Sequence, residues 1–574
     1  MDEGGLMMKK RYPIGVDNFK KIIDENLYFV DKTMFIKEII DDGSEVVLIA
    51  RPRRFGKTLN MSMLKYYFQD DAYMIYDKTD KNLFEKFEIW KQDDFYKKEY
   101  KKYAVINLTF KDIKMSTWEK SYKLIQKTIT EEYMKHDYIL DSDKVKPSEK
   151  QAFEEICYGK GDESDYVKSL KALSSALYKH YDTKVIILID EYDTLLNEAY
   201  INGYYKEAIE FIRVFLNAGL KNNEYLHKAV LTGIFRVAKE SIFSDMNNLN
   251  VCTILNDDYR EQFGFTQDEV KEMLTYYEID ETMANMSAWY NGYLFGKKEM
   301  TTIYNPWSIM LYIKNKSLGP YWINTSGNAI IKQIAVNAGE SIQNSIQDLL
   351  NGGVVENIKI DENIIYNEIM NKDNNIWSFL LMSGYLKVID KEWREDGIYY
   401  TLCPPNKEIF YFYRNMIESW LSETVRGGSV EKLLKALITG DIETFEDIFS
   451  NTVMQTVSVY DTGQDTSENF YHAFVLGILV NLDKDYEIKS NRESGIGRYD
   501  VMIIPKATHK KGIVIEFKRA SKKESLEEAL DRAKKQLAQK KYETELIQRG
   551  IEQSIRLAIA FKGKEVMMEM EEIK

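Results

Sequence analysis

Apolar residues in the first half of the chain come in short continuous runs, separated by amphipathic stretches. EVVLIA (45–50), YAVINLTF (103–110), KVIILID (184–190) and HKAVLTG (227–233) each read as a strand buried on both faces. Such runs, alternating with helical periodicity, predict an α/β domain built on a parallel sheet with helices on both sides. The pattern then changes. Residues 286–430 are helix-rich, and WSFLLMSGYLKVI (377–389) followed by GIYYTLCPP (397–405) predicts a helix and a short strand pair, a winged-helix-like arrangement. Beyond 431 come helices and two strands that could form a hairpin, RYDVMIIP (498–505) and KGIVIEFKRA (511–520). An amphipathic helix over 525–541 and a buried strand SIRLAIAF (554–561) follow, and MMEMEEIK (567–574) reads as a frayed tail.

Length agrees with this division. At about 150 residues per domain, 574 residues suggest roughly four domains. The pattern breaks mark three blocks: 1–285, 286–430 and 431–574. No run of about 18 apolar residues occurs, and the first fifteen residues lack an apolar signal core, so neither a membrane span nor secretion is expected. Three scattered cysteines and five dispersed histidines form neither a disulfide framework nor a metal cluster, which suits a reducing cytoplasm. Charge adds one asymmetry. The chain carries −13, yet residues 500–564 hold sixteen Lys and Arg against nine Asp and Glu. A basic module on an acidic body is an electrostatic footprint for a phosphate backbone; alternating Lys and Glu over 522–541 is equally the mark of a solvated helix face.

Two places carry chemistry. In LIARPRRFGKTLNMSMLKYYF (48–68), strand, loop and helix follow in order. Gly56, Lys57 and Thr58 end a phosphate-binding loop, with backbone N–H groups turned inward, Lys57 reaching the β- and γ-phosphates and the Thr58 hydroxyl holding Mg²⁺. Arg51 stands where such loops usually have their first glycine. Arg53, Arg54 and Phe55 complete the loop, the two arginines facing either phosphate or a neighbouring acidic surface. Asp190, ending an apolar strand expected beside the loop strand, can hold the Mg²⁺ shell, and Glu191 can polarise an attacking water. Asp193 reads as the start of the next helix, outside this set. Thr232 at the tip of another strand could sense the γ-phosphate, and Arg236 could act on nucleotide in cis or in trans. The aromatic stretches WYNGYLFG (289–296) and NPWSIMLYI (305–313) read as core packing rather than base-stacking surfaces.

The second place lies late in the chain. Residues two apart on a strand share a face, so Glu516 and Lys518 point together while Phe517 points to the opposite, buried side. If the two late strands pair, Asp500 approaches Glu516. Two carboxylates and nearby backbone offer hard oxygen ligands for Mg²⁺ or Mn²⁺, and Lys518 can orient a water or stabilise developing negative charge. An exposed hairpin with an ion pair has the same spacing.

YPIGVDNFKKIIDENLYFVDKTMFIKEI followed by RPRRFGKTLNMSML resembles the bacterial AAA-ATPase-like family, P-loop proteins related to the AAA+ and STAND ATPases. Arg in the first-glycine place is usual there. The Asp…Glu-x-Lys set within GIVIEFK is similar to the PD-(D/E)XK nuclease signature that proteins of this family usually carry at the C-terminus. The resemblance implies Glu468 as an added metal or structural acid, Gln536 as a contact to substrate or water, and Arg492 and Arg498 near phosphate. It also implies ATP as cofactor, DNA as the favoured nucleic-acid partner, and sites completed across a homo-oligomer. The resulting reading is an ATP-binding and ATP-hydrolysing domain coupled to a metal-dependent nuclease-like domain. The alternative is an ATP-driven switch or scaffold whose nuclease-like domain only binds a partner.

Overall fold

The computed structural model describes residues 9–70, 81–237, 246–298, 300–322, 353–364, 373–413, 429–460, 485–490, 493–494, 497–521, 523–540, 542–562 and 565–573, with isolated positions 342, 345, 346, 349, 475, 479 and 482. The chain divides into two compact units, Met1–Asn337 with Val355–Ile409, and Ala338–Val354 with Phe410–Lys574.

The first unit is built on five parallel strands: β1 (Val46–Ala50), β2 (Val105–Thr109), β3 (Val185–Asp190), β4 (Leu226–Gly233) and β5 (Leu249–Cys252). Their order is β2-β3-β4-β1-β5. Every residue of β1 and β3 is buried, as an apolar strand covered on both faces requires. The four apolar runs of the sequence supply four of these strands. The fifth, β5, has the sequence LNVC and buries only Cys252. The order corrects one expectation. The strand of Asp190 is not beside β1, because β4 lies between them.

Helix α1 (Lys57–Phe68) leaves the loop that follows β1. Residues downstream of the sheet belong to the same unit. They include α2 (Pro306–Asn315), whose cap Asn305 accepts from the Ser308 N–H at 3.1 Å, then β6 (Val355–Ile358) and α3 (Asp373–Met382). The expected helix and strand pair are present as α3, β7 (Lys387–Arg394) and β8 (Gly397–Cys403), and β6 adds a third antiparallel strand beside β8.

The second unit is a mixed five-stranded sheet running in chain order: β9 (Tyr486–Ser490), β10 (Val501–Pro505), β11 (Gly512–Arg519), β12 (Ser554–Lys562) and β13 (Glu565–Ile573). The pairings are antiparallel except β11 with β12. Strand alternation sorts the core into two faces. Val501, Ile503, Ile513, Ile515 and Phe517 pack with α4 (Ser429–Thr439) and α5 (Ile442–Tyr460) through Leu433, Leu437, Phe445 and Phe449. Met502, Ile504 and Val514 pack with α6 (Leu526–Lys540) through Ala529, Ala533 and Leu537. The tail expected to fray is instead β13, paired to β12 from Lys562↔Glu565 to Ser554↔Ile573 and burying Met568. Among the described residues no helix is long and apolar enough to cross a membrane.

Candidate nucleotide and metal sites

The first site forms where β1, β3 and β4 end. Arg54 and Gly56 both take left-handed backbone, φ 68° and 85°, the conformation from which anion-binding nests of backbone N–H groups are built. Glycine meets that demand at 56 without strain. The Lys57 ammonium is buried and donates to the carbonyls of Arg51 and Pro52, both at 2.9 Å. Burial lowers its pKa, while the charges of Glu191, Asp193 and Asp190 oppose that shift. Thr58 Oγ1 donates to Asp190 Oδ2 at 2.7 Å, and Thr232 Oγ1 donates to Oδ1 at 2.5 Å. Burial pushes the Asp190 pKa up; the two hydroxyls and the Lys57 charge pull it back. The Thr58–Asp190 pair is an all-oxygen donor set of the kind Mg²⁺ takes. Glu191 follows in left-handed backbone at φ 52° and accepts from Thr194 Oγ1 at 3.1 Å.

These residues border a cavity of about 320 Å³. Its lining runs from the loop, Arg53 to Thr58, past Glu191 to segments that the sequence did not connect with it: Pro13–Asp17, Tyr28–Val30 and Trp307. Asp190 and Thr232 lie behind the lining, and Arg236 is outside it, on a two-residue strand paired with Asn363–Ile364. One expectation is corrected and another extended. Trp307 was assigned to core packing, but it lines the cavity and carries the Arg54 guanidinium 4.1 Å from its ring centroid. Asp193 does start the next helix, as expected, capping Thr194–Asn202, and it is also buried in the cavity wall, where it accepts from the N–H groups of Ile234 and Phe235 at 2.7 and 3.1 Å. Phe55 lines the cavity and also anchors the loop, its buried ring edge-on to Tyr293 at 4.9 Å.

Arg51, in the first-glycine place, is fully buried and does not line the cavity. Its guanidinium donates to the carbonyls of Ala50, Cys252 and Asp258 at 2.9, 2.9 and 3.1 Å and sits over the rings of Phe263 and Phe295. Burial lowers its pKa to about 10, still well above neutrality. Arg51 therefore ties the end of β1 to the segment after β5. Arg51→Gly, which restores the commoner loop residue, is expected to lose about 3 kcal/mol of stability by stripping the carbonyls of Ala50 and Cys252 of buried donors and Asp258 of a part-buried one. Thermal unfolding of the purified variant checks this; an unchanged midpoint would refute it.

The second site lies on the α6 face of the other sheet. β10 pairs with β11 in the register Val501↔Ile515, and one step further brings Asp500 opposite Glu516. Asp500 Oδ2 accepts from the Phe517 N–H at 2.7 Å. Glu516 is fully buried, and Lys518 donates to Glu516 Oε1 at 2.7 Å and to the Phe517 carbonyl at 2.8 Å. Phe517 itself packs on the opposite face. Asp500, Glu516 and Lys518 are thus brought together. Gln536 on α6 donates to the Tyr542 hydroxyl at 3.0 Å, and the Tyr542 pKa is raised by burial and by the charges of Glu516 and Asp500. Gln536 therefore reaches this cluster through Tyr542, a residue the sequence reading did not single out. Glu468 and Arg492 lie outside the described residues. Among the described residues no three His, Cys, Asp or Glu side chains form a metal-binding group. The donors that fit a hard divalent ion are two carboxylates and the Phe517 carbonyl, with the Lys518 ammonium now bridging two of those oxygens.

A five-stranded parallel sheet with a phosphate loop after its β1 strand defines a P-loop NTPase fold. The C-terminal mixed sheet fits the PD-(D/E)XK fold. Comparison with known proteins agrees: the chain carries a predicted AAA-ATPase domain over residues 13–243 and a PD-(D/E)XK nuclease superfamily domain over 466–571. It is also similar to an uncharacterized protein in the vnfD 5′ region of Azotobacter chroococcum mcd 1, at 23% identity over 326 residues. That match spans 56% of this chain and 55% of the Azotobacter protein.

Proposed function

We propose that this chain binds and hydrolyses ATP at the Gly56–Thr58 loop and cuts nucleic acid, DNA in the first instance, at Asp500, Glu516 and Lys518, with nucleotide state controlling cutting. The observation that carries the reading is the convergence of Asp500, Glu516 and Lys518 on one face of a sheet while Lys57, Thr58 and Asp190 converge separately at the end of another. In the first unit the loop N–H groups and Lys57 bind phosphate, Thr58 and Asp190 hold Mg²⁺, and Glu191 holds the proton-accepting position for water. In the second, Asp500, Glu516 and the Phe517 carbonyl hold Mg²⁺ or Mn²⁺, and Lys518 places positive charge where a phosphate would carry developing charge. A divalent ion bound at either place supplies phosphate charge neutralisation and a more acidic water.

The direct test incubates the purified chain with Mg²⁺ and plasmid DNA, single-stranded DNA and RNA, with and without ATP. Cleavage that needs Mg²⁺ and responds to ATP supports the proposal. No cleavage of any substrate, with ATP still hydrolysed, would replace it by the switch or scaffold reading, in which the Lys518 ammonium keeps the oxygens that a metal would need.

A further inference from the structure

Glu408 is fully buried in the first unit, far along the chain from the phosphate loop. Its two carboxyl oxygens hold two different segments. Oε1 accepts from the Trp322 backbone N–H at 2.5 Å, and Oε2 accepts from Ser308 Oγ at 2.8 Å. Each segment in turn touches the loop. The Trp322 indole N–H donates to the Arg53 carbonyl at 3.2 Å. Ser308 is in the first turn of α2, next to Trp307, whose ring carries the Arg54 guanidinium. One side chain thus fixes both outer supports of Arg53 and Arg54, the stretch in which left-handed backbone shapes the phosphate cradle.

We propose that Glu408 is a positioning residue for the nucleotide site, holding Trp322 and α2 so that the loop keeps its binding shape, and that its protonation sets how tightly the site grips nucleotide. The nucleotide grip rests on the nucleotide reading given above; the hold of Glu408 on the loop does not. Burial raises the Glu408 pKa to about 7, and the hydrogen bonds from Trp322 and Ser308 only partly offset this. Among the described residues, the titratable groups facing it are the phenols of Tyr290 and Tyr293, both raised first by burial and further by its charge. Neither brings positive charge. Below about 7 the neutral acid accepts from Trp322 and can donate to Ser308. Above it, a buried carboxylate adds negative charge to the shell behind a polyphosphate site. Grip should therefore weaken as pH rises through 7.

The test uses the full chain as wild type, Glu408→Gln and Glu408→Ala, with two readouts. Amide hydrogen exchange without nucleotide, corrected for intrinsic rates, follows peptides covering residues 51–58. Affinity for a fluorescent ATP analogue with Mg²⁺ is measured from pH 6 to 8. Gln mimics the neutral acid, so Glu408→Gln should keep loop protection and lose the pH dependence of affinity that wild type shows. Glu408→Ala should speed exchange in the loop and weaken binding about tenfold. If wild type binds no nucleotide at any pH but Glu408→Ala still frees the loop, the positioning role stands and the ATP reading falls. The proposal is overturned if Glu408→Gln retains the wild-type pH dependence, or if Glu408→Ala leaves exchange in 51–58 unchanged.

Discussion

Lys57→Ala is expected to lower phosphate release from ATP by about two to three orders of magnitude, the scale of removing one preorganised charge donor from a transition state. The expectation follows from position. Lys57 is buried at the cavity wall, on the first turn of a helix whose N-terminal end favours anions, and its ammonium needs only to exchange two carbonyl partners for phosphate oxygens. On the proposed function Lys57 would touch substrate in the ground state too, so ATP binding should weaken along with turnover. Glu191→Gln is the informative contrast. It preserves shape and removes the proton acceptor, so binding should persist while turnover falls by about two orders of magnitude. Fluorescent-nucleotide titration and phosphate-release assays on both variants check the pair. Full turnover in Lys57→Ala would show that the loop does not serve hydrolysis.

Glu516→Gln is expected to abolish metal-dependent cleavage while leaving phosphate release from ATP at the wild-type level. Glu516 is fully buried and its charge is answered by Lys518 at 2.7 Å. Substituting Gln keeps the volume and one acceptor oxygen but removes the negative charge that would hold a divalent ion. Lys518→Ala should also stop cleavage, but it leaves a buried carboxylate without its ammonium, at a cost of about 3–5 kcal/mol. Its loss of activity must therefore be read beside its unfolding curve, and the Gln variant is the cleaner test. Cleavage by Glu516→Gln at the wild-type rate would remove this cluster from the chemistry.

Much of this arrangement is legible in the sequence because it depends on local pattern. The four apolar runs could be buried on both faces only as strands of a covered sheet. The two-residue period of GIVIEFK sets Glu516 and Lys518 against Phe517, and the register of β10 on β11 does the rest. What was not legible depends on contacts made across long stretches of chain. Trp307 lines the cavity only because α2 packs near a loop some 250 residues earlier, and nothing in NPWSIMLYI distinguishes it from core. Arg51 was legible only as a departure from a glycine position, because its role depends on the carbonyls of Cys252 and Asp258. β13 was hidden differently. Met568 and Met570 alternate with glutamates at strand period, but the acidic composition suggested a solvated tail.

The account requires two separate divalent-ion sites in one chain. Crystals soaked with a non-hydrolysable ATP analogue and Mn²⁺, measured for anomalous scattering at the manganese edge, test this most directly. The prediction is two peaks, one against Thr58 and Asp190 beside the analogue's phosphates and one between Asp500 and Glu516, with Glu516→Gln losing only the second. A single peak at the phosphate loop, with Lys518 still seated on Glu516 and the Phe517 carbonyl at saturating Mn²⁺, would contradict it.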